Sequence, residues 1–138
     1  MNFKEFIKKG IVRSTSPNIP LVKSLIKMSE NDLKFLKTLK VNKLSSRKLM
    51  TDYYDILRLN LEAISIMKGY KIYSHKALTY LLKEMNEEIL ASKFDMFRKI
   101  RNKINYYGTN IDIEETNENI KEILQMIKFL KNKYLNNL

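Results

Sequence analysis

Apolar residues along most of the chain recur at steps of three and four, which is the spacing of one helix face. The first such stripe begins near Asn18, tolerates Pro20 in its first turn and continues to Leu39. The polar stretch Ser29–Asp32 interrupts it, either as a break with a new cap or as an exposed turn within one helix. We favour a single helix, because the apolar spacing continues beyond the polar residues.

Four further stripes predict four more helices, near residues 44–69, 74–90, 92–108 and 113–135. Ser74 and Ser92 are expected to cap the third and fourth helices, and Gly69 and Gly108 to end the second and fourth. No segment shows sustained two-residue alternation, so the stretch from Tyr70 to Tyr73 is expected to be a short connection. The pattern predicts an all-α fold, an up-and-down helical bundle of about five helices joined by short loops.

The first 17 residues differ from the rest because they carry few periodic apolar positions. Their last part, Arg13 to Pro17, is rich in turn-forming residues. We therefore expect a loosely ordered N-terminal arm over residues 1–17 and a single helical domain over residues 18–138.

Composition excludes several classes of protein. With 138 residues, 44% of them apolar, the chain is long enough for one domain with a modest core. The absence of Cys excludes disulfide scaffolds and thiolate metal sites, and a single His excludes a multi-His metal site. The glutamates fit solvated helix faces, so neither a metal nor a cofactor is expected. The chain has no secretory signal or long uninterrupted apolar run, which favours a cytoplasmic protein without membrane association.

Charge is concentrated in the first part of the chain. Residues 1–50 hold 12 basic and 3 acidic side chains, whereas the whole chain has a net charge of +11. Such a local excess attracts polyanions, of which nucleic acid is the obvious one and an anionic membrane surface or an acidic protein the lesser ones. The alternative is a general bias toward Lys, Asn and Ile that has no connection with binding.

The most unusual segment runs from Phe97 to Gly108. On a helix, Arg98, Arg101, Asn102 and Asn105 lie on one face, with Tyr106 at its edge. A guanidinium can clamp a phosphate through two hydrogen bonds, an amide can orient it, and a phenol offers a further hydroxyl. The alternative is a solvated basic surface. The candidate nucleic-acid-binding residues are Arg98, Lys99, Arg101, Lys103, Asn105 and His75.

His75 is the only imidazole and is expected in the first turn of the third helix. It is either a partly exposed residue packed near a helix start, or a group that points into the same groove as Arg101 and supplies a base. The sequence leaves both alternatives open.

The segment Arg101–Gly108, which closes a helix, resembles the signature of the higher eukaryotes and prokaryotes nucleotide-binding (HEPN) superfamily. That signature is an Arg, often a polar residue, several more residues and then a His. The run from Met67 to Leu78, in which a helix ends at Gly and Ser-His opens the next, also resembles prokaryotic HEPN proteins. The resemblance implies a helical bundle, a homodimer and a groove at the dimer axis where two Arg/His pairs meet. Many members are metal-independent ribonucleases, often toxins paired with a small nucleotidyltransferase antitoxin.

The chain departs from the signature at Tyr106, which stands where the family has His. Imidazole titrates at about 6.5 and phenol at about 10, so Tyr is a poor general base at neutral pH. Arg101 and Asn102 match the pattern as phosphate-holding residues, and Tyr106 matches only by position. The candidate catalytic residues are Arg101, Asn102 and Tyr106.

The resemblance thus predicts an RNA-directed module of toxin–antitoxin or defence type. It would be a metal-independent endoribonuclease if Tyr106 or His75 can transfer protons. A second hypothesis is a non-catalytic helical partner that binds a nucleotide or a nucleotidyltransferase. A third is a structural adaptor with incidental basic charge.

Overall fold

The computed structural model describes all residues from 1 to 138 and contains six helices and one two-stranded antiparallel sheet. In chain order the elements are α1 (Phe3–Lys8), β1 (Val12–Ser14), α2 (Ile19–Leu36), α3 (Ser46–Met67), β2 (Tyr70–Ile72), α4 (His75–Glu84), α5 (Glu88–Tyr107) and α6 (Ile113–Tyr134). The all-α helical bundle predicted from the apolar spacing is confirmed.

Helix α3 lies at the centre of the bundle and packs against α2, α5 and α6. Its apolar residues cover most of its circumference, as expected of a helix surrounded by others. Even its polar Asn60 is buried, where its amide donates hydrogen bonds to the Ser29 hydroxyl of α2 at 2.8 Å and to the Ile56 carbonyl at 2.9 Å. The polar stretch around Ser29 therefore lies within one continuous α2, as predicted.

Local sequence explains several helix ends. The Asn18 and Asp112 side chains accept hydrogen bonds from backbone N–H groups in the first turns of α2 and α6. Gly108 ends α5 with φ at +61°, a left-handed conformation that costs Gly little. Gly69 also has a positive φ, and a Cβ there would approach the Thr15 carbonyl to 3.1 Å.

The N-terminal segment differs from the loosely ordered arm expected over residues 1–17. Phe3, Phe6 and Val12 are buried in the same hydrophobic core as the later helices. Residues Val12 to Ser14 pair with Tyr70 to Ile72, so the predicted connection before α4 is in fact strand β2. The apolar residues of this segment are too few to show a period, yet α1 packs against α4 and β1 pairs with β2.

The boundary between α4 and α5 lies earlier than predicted. We expected it at Ser92, but α4 ends at Glu84 and Asn86 adopts a left-handed φ of +61°. Ser92 is exposed within α5. Asn is one of the few residues with a side chain that tolerates this conformation, so Asn86 sets the turn.

None of the helices combines the length and the apolar character that crossing a membrane requires.

Candidate anion-binding site

Arg101 lies on the α5 face that turns toward α3. Its guanidinium carbon is 5.9 Å from the centroid of the Tyr54 ring, which is a cation–π distance. The Arg101 Nε is buried but has no hydrogen-bond partner. A buried donor without a partner is costly, so Arg101 has capacity for an acceptor that the chain itself does not supply.

Tyr54 joins Arg101 to His75. The Tyr54 side chain comes from α3, is fully buried, and stacks on Phe94 of α5 with ring centroids 5.4 Å apart. Its hydroxyl lies 3.1 Å from His75 Nδ1, and either atom can be the donor in this hydrogen bond. His75 is the first residue of α4, so three helices meet at this pair.

Burial and nearby positive charge together determine the pKa values of His75 and Tyr54. Burial, followed by the charges of Arg58, Arg101 and Arg98, lowers the pKa of His75 to about 4. Burial raises the pKa of Tyr54, and Arg101 opposes that rise most strongly. Both groups are therefore neutral at pH 7, in a field created by three guanidinium groups.

Two of these three arginines already have carboxylate partners. Arg58 forms an ion pair with Glu62 and lies 3.9 Å from Asp55. Arg98 donates to Asp95 through its Nη2 at 2.8 Å and through its Nε at 3.1 Å. These hydrogen bonds, with that from Lys99, hold the pKa of Asp95 below its usual value, although burial opposes them.

Arg101 forms no ion pair, so its charge is the uncompensated one. Asp55 lies within the field of Arg101: burial raises the pKa of Asp55, and Arg58 and Arg101 oppose the rise. We call Arg101, Tyr54 and His75, with Arg58 and Arg98 around them, the Arg101 cluster.

The other predicted site residues differ in how far they are exposed to solvent. Asn102 is half-buried, and Lys103 and Asn105 are exposed. Asn105 lines a surface depression with Arg47 and Lys48, at the start of α3. Tyr106 is 74% exposed and forms no hydrogen bond with another side chain. The structure thus brings Arg98, Arg101 and His75 together, and the Tyr106 side chain extends into solvent.

Sequence reasoning missed Tyr54 and Arg58. Tyr54 is a core residue, and its hydroxyl also positions the imidazole. The available signal was the four-residue step from Tyr54 to Arg58, which places a phenol and a guanidinium on one face of α3.

Two other features do not add to this cluster. A cavity of about 970 Å³ lies at the connection between α5 and α6, lined by residues of both charges that include Arg47, Asp112 and Glu114. No three His, Cys, Asp or Glu side chains lie close enough together to hold a metal ion.

No protein-family model matches the chain, and no curated protein or solved structure matches it significantly either.

Proposed function

We propose that the protein is an RNA-directed module that holds a phosphodiester on Arg101 and cleaves it without a metal ion, using His75 as the proton acceptor. The observation that carries the proposal is the Arg101 guanidinium, which lies against Tyr54 with its Nε buried and no carboxylate partner. A phosphate oxygen is the kind of acceptor that such a donor lacks.

The charge balance of the cluster fits a phosphodiester. Arg58 and Arg98 are neutralised by Glu62 and Asp95, which leaves the single positive charge of Arg101. A phosphodiester carries one negative charge and gains more as the 2′-hydroxyl attacks phosphorus. A guanidinium held in place before the reaction stabilises that developing charge.

His75 is neutral at pH 7 and can accept a proton, and its lowered pKa makes it a weaker base than an ordinary imidazole. If Nδ1–H donates to the Tyr54 oxygen, the lone pair of Nε2 is free to take the proton of the 2′-hydroxyl. The 2′-oxygen then bonds to phosphorus while the bond to the 5′-oxygen breaks. The 5′-oxygen takes a proton from the imidazolium or from water, which gives a 2′,3′-cyclic phosphate and a 5′-hydroxyl.

The resemblance to the HEPN superfamily supports RNA as the target and a toxin–antitoxin or defence role. It also supports a homodimer, in which two copies of Arg101 would face one groove, and a small nucleotidyltransferase as a partner. The proposed mechanism differs from the family signature in one respect. The imidazole is that of His75 at the start of α4, because Tyr106 occupies the signature position.

A second candidate is a non-catalytic partner protein that binds a nucleotide or a nucleotidyltransferase. The exposure of Tyr106 and Tyr107, at 74% and 82%, favours it, because two neighbouring accessible rings are suited to stacking or to burial under a partner.

Incubation of the purified protein with structured RNA in EDTA tests the proposal. Wild type is expected to cleave, Arg101→Ala and His75→Gln to lose at least about a hundredfold in rate, and Lys121→Ala on α6 to match wild type. Equal rates for wild type and Arg101→Ala would show that Arg101 takes no part in the cleavage and would overturn the proposal. RNA binding without cleavage would favour the non-catalytic partner.

Tyr106→His restores the signature residue. It distinguishes a site in which His75 is the base from a scaffold that has lost its base. If the cluster around His75 is the reacting site, this substitution leaves the rate within a few-fold of wild type. Activity that appears only in Tyr106→His would instead indicate a nuclease scaffold that has lost its base.

A further inference from the structure

The Tyr54–His75 pair is arranged so that its proton affinity depends on what occupies Arg101. His75 Nδ1 lies 3.1 Å from the Tyr54 hydroxyl, and the Arg101 guanidinium carbon lies 5.9 Å from the centroid of the same Tyr54 ring. The imidazole and the guanidinium therefore share one buried neighbour and belong to one electrostatic environment.

We infer that Arg101 and the Tyr54–His75 pair form a coupled site that takes up an oxyanion and a proton together. The inference rests on the proposed function for the identity of the anion as a phosphate group. It adds that binding of the anion raises the proton affinity of His75, which makes the imidazole a stronger proton acceptor.

The charged groups that face His75 come from two helices. Helix α3 contributes Arg58 and α5 contributes Arg98 and Arg101, and all three disfavour the imidazolium. Their partner carboxylates are Glu62 on α3 and Asp95 on α5. The acid Asp55 of α3 also lies within the field of Arg58 and Arg101.

The remaining elements packed against α4 add little charge near His75. Helix α1 contacts α4 through the Phe6 and Tyr80 rings, whose centroids are 5.1 Å apart. Strand β2 carries Lys71, whose ammonium lies 5.6 Å from the Tyr73 ring centroid. The Ser74 side chain makes no cap hydrogen bond, so the partial positive charge at the α4 N-terminus also acts on His75.

An anion on Arg101 weakens this positive field. It neutralises the uncompensated guanidinium, whose charge disfavours the imidazolium, so protonation of His75 becomes easier. By linkage, protonation of His75 must strengthen anion binding by the same factor. A phosphodiester bound here would therefore raise the proton affinity of the residue that takes the 2′-hydroxyl proton.

Titration of His75 by NMR, with and without sulfate, tests this coupling. Because His75 is the only His, its ring proton signals are unambiguous. Sulfate keeps the same charge from pH 3.5 upward, so only the protein titrates. We expect saturating sulfate to raise the midpoint by about one pH unit and sulfate affinity to rise about tenfold when His75 is protonated.

Four variants make the test specific. Arg101→Gln should abolish the sulfate-dependent shift, and Arg101→Lys, which keeps the charge without the planar fork, should retain part of it. Lys121→Gln removes one charge from exposed α6 and should leave the shift unchanged. His75→Gln should remove the pH dependence of sulfate affinity that is assigned to the imidazole.

The outcomes for the coupling and for the ribonuclease proposal are separable. A His75 midpoint that does not move with sulfate, or that moves equally in Arg101→Gln, overturns the coupling even if RNA is cleaved. A sulfate-dependent shift in a protein that never cleaves RNA retains the coupled site and removes the ribonuclease proposal.

Discussion

The buried hydroxyl of Tyr54 explains why His75 is positioned as it is. A buried hydroxyl without a partner would cost about 1–3 kcal/mol, and His75 Nδ1 supplies the partner at 3.1 Å. The same contact draws the imidazole out of water and into the field of Arg58, Arg98 and Arg101. One hydrogen bond thus both stabilises the fold and keeps a neutral imidazole at the site.

The lowered pKa of His75 predicts how stability depends on pH. Between pH 6.5 and about 4, the unfolded chain binds a proton at His75 that the folded chain does not. The free energy of unfolding should therefore fall as pH decreases through this window. Urea unfolding at pH 4, 5, 6 and 7 measures it.

His75→Gln keeps a side chain that can hydrogen-bond to Tyr54 but cannot titrate. Its unfolding free energy should change much less than that of wild type between pH 6.5 and 4. The lowered pKa of Asp95 places its contribution mainly below the window, and the raised pKa of Asp55 acts in both proteins, so the difference between the two slopes reports on His75. Equal slopes in the two proteins would show that His75 keeps an ordinary pKa.

At the scale of the elements, the turn between α4 and α5 depends on a single residue, Asn86. Its φ of +61° ends α4 without Gly, and the Glu87 N–H then bonds to the Leu82 carbonyl at 2.9 Å. Apolar spacing continues through this turn, since Met85 and Leu90 both pack against the core. The sequence pattern therefore extended the third predicted helix past its true end.

Replacement of Asn86 by Ala should destabilise the protein by about 1 kcal/mol, because a Cβ residue without a polar side chain disfavours the left-handed conformation. Asn86→Gly should be neutral or slightly stabilising. Urea unfolding of both variants measures the effect.

Asn117→Ala is the matched control, since Asn117 is an exposed residue within α6. There the same substitution should stabilise by a few tenths of a kcal/mol, because Ala favours helix more than Asn does. Loss of stability in both variants, or in neither, would contradict the role assigned to Asn86.

The sequence predicts the parts of the site that depend on neighbouring residues, but not the contacts between distant parts of the chain. Arg98 and Arg101 share a face because of a three-residue step, which the sequence states directly. The contact of Arg101 with Tyr54 joins positions 47 residues apart, and it depends on how α5 packs against α3. No local pattern encodes that packing, so the position of His75 relative to Arg101 stayed open until the fold was known.

At the scale of the whole molecule, the N-terminal segment closes one end of the core. Phe3 packs edge-on against Tyr70 of β2, with ring centroids 5.1 Å apart, and Phe6 packs against Tyr80 of α4. The strand pair β1–β2 holds residues 12–14 beside the turn that leads to His75. The segment therefore supports the element that carries the imidazole.

Phe6→Ala should accordingly lower the free energy of unfolding by about 3–5 kcal/mol, as expected for a large buried side chain. Urea unfolding measures this change. Ser16→Ala, at an exposed position of the same segment, should change stability by less than about 0.5 kcal/mol. A loosely held arm would give small effects for both substitutions, so a mild Phe6→Ala would reinstate that expectation.

The basic side chains in the first part of the chain remain without acidic partners in the folded protein. None of the Lys and Arg side chains before Lys48 forms an ion pair, whereas several later ones do. On α2, the exposed Lys27 and Lys34 have Lys23 and Lys37 as near neighbours in sequence. Charges gathered in this way contribute to one continuous positive field.

If RNA binds along this positive surface, the α2 lysines should contribute to the salt dependence of RNA affinity. Each phosphate contact that is lost lowers the slope of log K against log salt by about 0.7 for a single strand. The double substitution Lys27→Gln and Lys34→Gln should therefore reduce the slope by about one to one and a half. Fluorescence anisotropy with a labelled single-stranded RNA between 50 and 300 mM salt measures it.

The matched double substitution replaces Lys83 and Lys121 by Gln, which removes the same net charge from exposed positions. Lys83 lies on α4 and Lys121 on α6, so neither belongs to the lysines gathered on α2. This variant should keep the wild-type slope. If both doubles lower the slope equally, RNA senses only the net charge of the protein, and α2 is not part of its path.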